Sequence, residues 1–227
     1  MSGPGFDSLS NEARARLSLG SSSEVIYARA AQLIRQLGPF PLLVDVGCGA
    51  GALSRHLQGC AGSYIGCDLV RYEGFPAGPG LEFREADLNQ GPFPVASGSA
   101  DVVVGIEIIE HLENPRHFIR ELVRIARPGG HLLITTPNQL SLLSKATLVL
   151  RNEFNAFQGS AGLYPAHITA LLEQDLVHIA EEVGLTSVQV TYTDSGRIPG
   201  TGLHWPARLG LKGCAFSDNV LLFARKP

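Results

Sequence analysis

Leu42-Leu43-Val44-Asp45-Val46-Gly47-Cys48-Gly49-Ala50-Gly51 decides how this chain is read. Its first half, Leu42 to Val46, is short, apolar and β-branched, as a strand covered on both faces would be. Gly47, Gly49 and Gly51 then remove the Cβ atoms where the backbone must turn sharply and let a ligand come close. Ala52 to Gln58 continues as a helix, and the backbone N–H groups at its start can meet an anionic or carboxylate-bearing ligand.

The glycines follow Gly-x-Gly-x-Gly, not the Gly-x-Gly-x-x-Gly of dinucleotide sites. Asp45 precedes the first glycine by two residues. A second acid, Asp68, ends the next apolar run, Ser63 to Cys67, which reads as strand two. A carboxylate there can accept both hydroxyls of a ribose. On these residues, Val44 to Gly51 resembles motif I of the class I S-adenosylmethionine-dependent methyltransferases. The resemblance implies that Asp45 helps hold the methionine end, that Gly47, Cys48, Gly49 and Gly51 form the cofactor turn, and that Asp68, with Leu69 beside it, binds the ribose.

Composition narrows the alternatives. The 227 residues suffice for one domain with a substantial core, and 44% apolar against 17% charged content marks a globular chain. A net charge of −3, with no long run of Lys and Arg, disfavours a broad nucleic-acid surface. Cys48, Cys60, Cys67 and Cys214 form no CxxC pair, so neither a zinc site nor a disulfide framework is indicated. No signal-peptide pattern and no membrane-length apolar run is present, so a cytoplasmic setting is expected. Oligomeric state is not readable.

Outward from the glycine turn, strands and helices alternate, which supports the α/β class. Residues 1–22 read as a mobile arm with a short helix around Asn11 to Leu17, and 23–227 as the main domain. Apolar spacing predicts a helix over Glu24 to Leu37, stopped by Gly38-Pro39. Leu81 to Leu88 reads as the third strand and its exit. Val102 to Ile106 is the fourth strand, Pro115 to Ala126 a helix ended by Arg127-Pro128-Gly129-Gly130, and His131 to Thr136 the fifth strand. A helix over Leu140 to Asn152 and a loop to Pro165 form an insert, about 139–166. A further helix spans Ala170 to Val183, strands six and seven are Thr186 to Tyr192 and Val220 to Ala224, and the long stretch 193–218 is a candidate lid. Trp205 within it is more often a packing anchor than a substrate platform.

Glu107, Glu110-His111, Pro128-Gly129-Gly130 and Thr136-Pro137-Asn138 resemble methyltransferases of the ubiquinone-biosynthesis type. This implies a three-layer α/β/α sandwich, with a Rossmann-like, seven-stranded, mostly parallel sheet whose last strand is antiparallel. It also implies that Asp87 bonds the adenine amino group, Leu88 donates its backbone N–H, and Ile106 borders the cofactor. From the residues alone, Asp87 is equally a loop carboxylate capping the next turn.

Glu107, Glu110 and His111 stand at i, i+3 and i+4, so a helical exit from strand four would place them on one face. With His167 from a loop, they form a candidate divalent-metal set, and such an ion could orient an acceptor and acidify its hydroxyl. The same arrangement resembles metal sites of ubiquinone O-methyltransferases and, less well, of small-RNA 2′-O-methyltransferases. The alternative is that Glu107 faces the cofactor, Glu110 is a solvated helix residue, and His111 packs or acts alone as a base. His111 and His167 are the catalytic candidates. The expected function is S-adenosylmethionine-dependent methylation of a small-molecule acceptor, at oxygen in preference to nitrogen. A non-catalytic S-adenosylmethionine-binding protein is the alternative from another class. A nicotinamide-dependent oxidoreductase is disfavoured by the glycine spacing.

Overall fold

The computed structural model describes residues 11–17, 20–158 and 166–227. The alternating pattern becomes α1 (Asn11–Leu17), α2 (Glu24–Arg35), β1 (Phe40–Val46), α3 (Ala52–His56), β2 (Ala61–Asp68) and β3 (Leu81–Glu85). Then come β4 (Ala100–Ile106), α4 (Pro115–Ile125), β5 (Ala126–Pro137), α5 (Leu142–Arg151), α6 (Glu173–Glu182), β6 (Thr186–Tyr192) and β7 (Asn219–Arg225). The strands form one seven-stranded sheet in the order β3-β2-β1-β4-β5-β7-β6. Pairing is parallel from β3 through β5, while β7 runs antiparallel to both β5 and β6.

Alternation along the strands builds two cores. Val44 and Val46 on β1, with Val103 and Leu132, face α4 and α6 through Phe118, Leu122, Leu176 and Ile179. Leu43 on β1, with Val102, Val104 and Leu133, faces α2 and α3 through Ile34 and Leu53. The sheet thus lies between two helical layers, and its central strands are apolar on both faces, as two-sided burial demands. The order reverses between β1 and β4, from which successive strands run towards opposite edges, and the crevice beyond their carboxyl ends is where an open α/β sheet binds its ligands.

Two boundaries differ from the sequence expectation. Arg127-Pro128-Gly129-Gly130 does not separate helix from strand, because β5 begins at Ala126 directly after α4. Gly129 N–H donates to the Lys226 carbonyl and Lys226 N–H to the Gly130 carbonyl, which draws the turn into the sheet. A Cβ on Gly130 would lie 2.9 Å from the Arg127 carbonyl oxygen, so only glycine passes this close. The helix after the insert also begins later than expected, at Glu173, where Asp175 accepts from Leu172 N–H.

The candidate lid is tied down at several points. Asp218 N–H donates to the Ser195 carbonyl and Trp205 N–H to that of Gly196. Trp205 stands edge-on to Phe216 at 5.5 Å, a packing contact. Of the arm and insert, residues 1–10, 18–19 and 159–165 lie outside the described residues. Among the described residues, no helix is long and apolar enough to cross a membrane.

Candidate active site

The glycine turn is fastened to β2. Gly47 and Cys48 N–H both donate to the Cys67 carbonyl, at 2.8 and 3.1 Å. Asp68 accepts from Gly49 N–H through Oδ2 and from Leu69 N–H through Oδ1, each at 2.7 Å. Gly47 and Gly49 adopt positive φ, and close contacts leave no space for a side chain on either. A Cβ on Gly47 would meet Ile108 at 2.5 Å, and one on Gly49 would meet the Gly20 carbonyl oxygen at 2.0 Å. That carbonyl accepts from Ala50 N–H at 2.8 Å, so residue 20 lies across the turn.

Beside the turn is a cavity of about 380 Å³, bordered by Gly47, Gly49, Asp68, Ile106, Glu107 and His111, with Ser21, Ser22 and Tyr27 opposite. A narrow cleft continues past Asp68 to Leu69, Asp87 and Leu88. Asp87 accepts from Asn89 N–H and from the Gln90 amide, so the turn-capping role is present in the same residue that borders the cleft. Three expected cofactor residues border neither space. Cys48 and Gly51 shape the turn. Asp45 lies beneath it, because β1 alternation points it to the α2/α3 side, where the Tyr64 hydroxyl donates to Oδ2. Asp45 Oδ1 has no hydrogen-bond partner among the described residues, and burial pushes the carboxyl up to about 7.

The exit of β4 is not one helical face. Glu107 has φ 49, a left-handed conformation unusual for a non-glycine residue, and the helical turn that follows is a short 3₁₀ segment, Ile109–His111. Glu107 is therefore directed towards β5 and β7. Thr135 hydroxyl donates to Oε1 at 2.8 Å and Asn219 amide to Oε2 at 2.7 Å. Burial raises its pKa to about 7, against the pull of these two donors. Glu110 is not solvated but fully buried. Thr136 hydroxyl donates to its Oε2 at 3.1 Å, while Oε1 lacks a hydrogen-bond partner among the described residues. Burial, reinforced by Glu107, holds the Glu110 carboxyl well above the usual carboxylate range.

His111 Nδ1–H donates to the Ala166 carbonyl at 3.0 Å, which fixes the tautomer with Nε2 as the basic nitrogen. The His111 and His167 rings meet edge-on at 4.7 Å, and His167 Nε2 stands 4.0 Å from Glu110 Oε1. Burial lowers the His167 pKa. The expected four-residue metal set is thus divided: ligand atoms of Glu110, His111 and His167 lie within 4.8 Å of one another, and Glu107 is not among them. The left-handed backbone at Glu107 is the cause.

A second, larger cavity of about 510 Å³ adjoins the first. Ser22, Glu107 and His167 border both. Its other walls come from the β5 exit (Asn138, Gln139), α5 (Ser144) and the 193–218 stretch (Thr193, Ser195, Arg197). Sequence reasoning missed Ser22, Tyr27, Thr135 and Asn219. Thr135 directly precedes the flagged Thr136-Pro137-Asn138, and a polar residue ending a buried strand was the available signal. Ser22 and Asn219 carry no local signal, because only the tertiary fold brings them in.

A methyltransferase-domain family profile matches residues 24–190. The chain belongs to the class I S-adenosylmethionine-dependent methyltransferases. A Mycolicibacterium smegmatis protein described as "Probable S-adenosylmethionine-dependent methyltransferase" is 32% identical over 71% of this chain and 60% of its own length. An ajmaline N-methyltransferase of Rauvolfia serpentina is 34% identical over 48% of this chain and 43% of its own. A ubiquinone biosynthesis O-methyltransferase of Ralstonia nicotianae is 28% identical over 57% and 65%. The chain spans 60% of the length of the first of these curated relatives and under half that of several others. A methyltransferase structure from Archaeoglobus fulgidus shares the fold, with TM-score 0.62 and 18% identity over 92% of this chain and 96% of that one. The residues present fit the family's methyl donor. A cavity opens beside the glycine turn, and Asp68 borders both it and the cleft that leads to Asp87 and Leu88.

Proposed function

We propose that this chain catalyses methyl transfer from S-adenosylmethionine to a hydroxyl of a small-molecule acceptor. The carrying observation is that the cavity at the glycine turn and the larger cavity meet at Ser22, Glu107 and His167. When bound, S-adenosylmethionine supplies an activated methyl group, so the protein's work is alignment, water exclusion and proton removal. Asp68 and the glycine turn hold one side of the donor, with Asp87 and Leu88 at the far cleft and Ile106 on the floor. His167, depressed in pKa by burial and placed at the junction, takes the acceptor proton. His111, its tautomer set by Ala166, buttresses that imidazole edge-on. Oxygen is favoured over nitrogen because a hydroxyl, unlike a free amine, needs a base positioned this way.

Calorimetric titration with S-adenosylmethionine and S-adenosylhomocysteine, followed by an acceptor screen, tests the reading. Cofactor binding with turnover of hydroxyl acceptors supports it. Turnover confined to amines makes the chain an N-methyltransferase. Tight binding without any turnover favours a non-catalytic cofactor-binding protein. No binding in folded protein removes the reading.

One observation favours a divalent ion in place of a His167 base: the convergence of Glu110, His111 and His167. Two imidazoles and one carboxylate suit Mn²⁺ or Zn²⁺ better than Mg²⁺. A saturable Mn²⁺ or Zn²⁺ heat that Glu110→Gln abolishes supports the ion. Full activity in a chelator removes it.

A further inference from the structure

Glu107 occupies a position that proton transfer does not explain. It bears the left-handed backbone that a non-glycine residue adopts at a cost, and such strain persists where surrounding structure holds it in place. Both carboxylate oxygens are clamped, one by β5 through Thr135 and one by β7 through Asn219. Each clamped oxygen has further lone-pair capacity, and the residue borders both cavities. A carboxylate fixed in this way next to the reaction space is a rigid hydrogen-bond acceptor, aimed at a donor group on whatever fills the larger cavity.

The rest of that cavity is chemically consistent. Among the described residues, its apolar lining is Val25 and Ile26 at the start of α2 with Pro137 and Ala156, and no Phe, Tyr or Trp borders it. Hydroxyls and amides supply most of its polar lining, including Gln139, Ser144, Asn155 and Thr193. Arg197 borders it too, but its guanidinium is tied to Asp218 at 2.6 Å, so the wall presents little free positive charge for a phosphate or carboxylate. Ligand cavities are ordinarily apolar with a few polar groups. This one divides its lining about evenly between the two, and burying an apolar ring or prenyl chain against its polar half would leave polar atoms without partners, while the non-polar C–H face of a sugar ring suits the apolar half. A ligand that carries a hydroxyl on nearly every carbon restores those hydrogen bonds.

Resting on the methyltransferase reading above, we propose that the acceptor is an aliphatic polyol of the carbohydrate or cyclitol class, and that Glu107 determines its specificity by accepting a hydrogen bond from the hydroxyl next to the one methylated. In the reaction, the acceptor oxygen forms the new O–CH₃ bond as the donor's S–CH₃ bond breaks. The sulfonium charge is lost as a neutral thioether leaves, and the hydroxyl proton passes to His167 and on to solvent. Glu107 keeps its protonation state throughout and acts as a specificity residue, not a base. The polyol can come as a free sugar or as the headgroup of a glycolipid, and both present the same ring to Glu107.

The test combines cofactor calorimetry with an acceptor panel read by S-adenosylhomocysteine release. The panel holds methyl glycosides of common hexoses, myo-inositol, octyl glycosides, catechols, prenylated phenols and primary amines. Polyols are expected to turn over, with octyl glycosides preferred to methyl glycosides only if the source is a lipid headgroup. Glu107→Gln should raise the acceptor KM by about tenfold, the loss expected for one charge-assisted hydrogen bond, and by more than it weakens cofactor binding read separately by calorimetry. If that variant does not fold, the wild-type enzyme with singly deoxygenated analogues answers the same question, because removing the partner hydroxyl should cost a similar factor. Turnover of phenols or amines in place of polyols, or no turnover of any polyol by protein that binds cofactor, overturns the proposal and leaves the family reading standing. Absence of cofactor binding in folded protein overturns both.

Discussion

Asp45 and Asp68 are both buried acids near the glycine turn, yet their surroundings assign them different work. Asp68 spends its charge on backbone N–H groups, those of Gly49 and Leu69 among them, which offset part of the cost of burial. Asp68→Ala should therefore weaken S-adenosylmethionine binding at least tenfold by calorimetry, since both a ligand contact and the order of the turn are lost. Unchanged affinity would remove its ribose role. Asp45 has one hydroxyl partner and one unbonded oxygen, so its folded pKa, about 7, lies above its unfolded value. The folded state then binds the proton more tightly than the unfolded chain does. The stabilisation this brings is complete below the unfolded pKa and is lost as pH rises through about 7. Asp45→Asn cannot titrate, so the wild type should lose stability relative to it between about pH 5 and about pH 8. Urea unfolding of both proteins at the two pH values, without cofactor, measures this. Parallel pH dependences would mean that the carboxyl is solvated or partnered in solution.

At the scale of elements, the turn and the segment preceding α2 act together. Gly49 is excluded from carrying a side chain both by its φ of +51 and by the Gly20 carbonyl lying 2.0 Å from its ideal Cβ position. Gly49→Val should displace residue 20, break its bond to Ala50 N–H, and open the cavity wall formed by Ser21 and Ser22. The expected outcome is loss of cofactor binding together with faster proteolysis N-terminal to α2. Retained binding with unchanged proteolysis would show that the turn tolerates displacement of residue 20. Much of this was legible in the sequence. Short apolar runs located β1, β2, β4 and β5, and the glycine spacing located the turn, because both signals are local. The apposition of residue 20 was not legible, since Gly20 meets Ala50 only through tertiary folding. The β4 exit was misread for a related reason. The i, i+3, i+4 spacing of Glu107, Glu110 and His111 is a helical signal, but Thr135 and Asn219 capture Glu107 in a left-handed conformation that overrides it. The other two residues remain on a single 3₁₀ turn and do meet His167.

For the whole molecule, the site depends on strands far apart in the chain. Glu107 leaves β4, Thr135 lies on β5, and Asn219 opens β7, which inserts antiparallel between β5 and β6. That insertion places Asn219 opposite Pro137 and within reach of Glu107, a contact spanning 112 residues of sequence. If Asn219 serves only the sheet, Asn219→Ala lowers stability and leaves kinetics alone. If it acts through Glu107, the same change frees one carboxylate oxygen and raises the acceptor KM while cofactor affinity holds. A double-mutant cycle separates the two cases, because residues acting as one unit are not additive. Asn219→Ala should raise KM in the wild-type background by several-fold and have no further effect in Glu107→Gln, where the clamped charge is already gone. Equal effects in both backgrounds would detach Asn219 from acceptor recognition and make the antiparallel β7 a purely architectural strand.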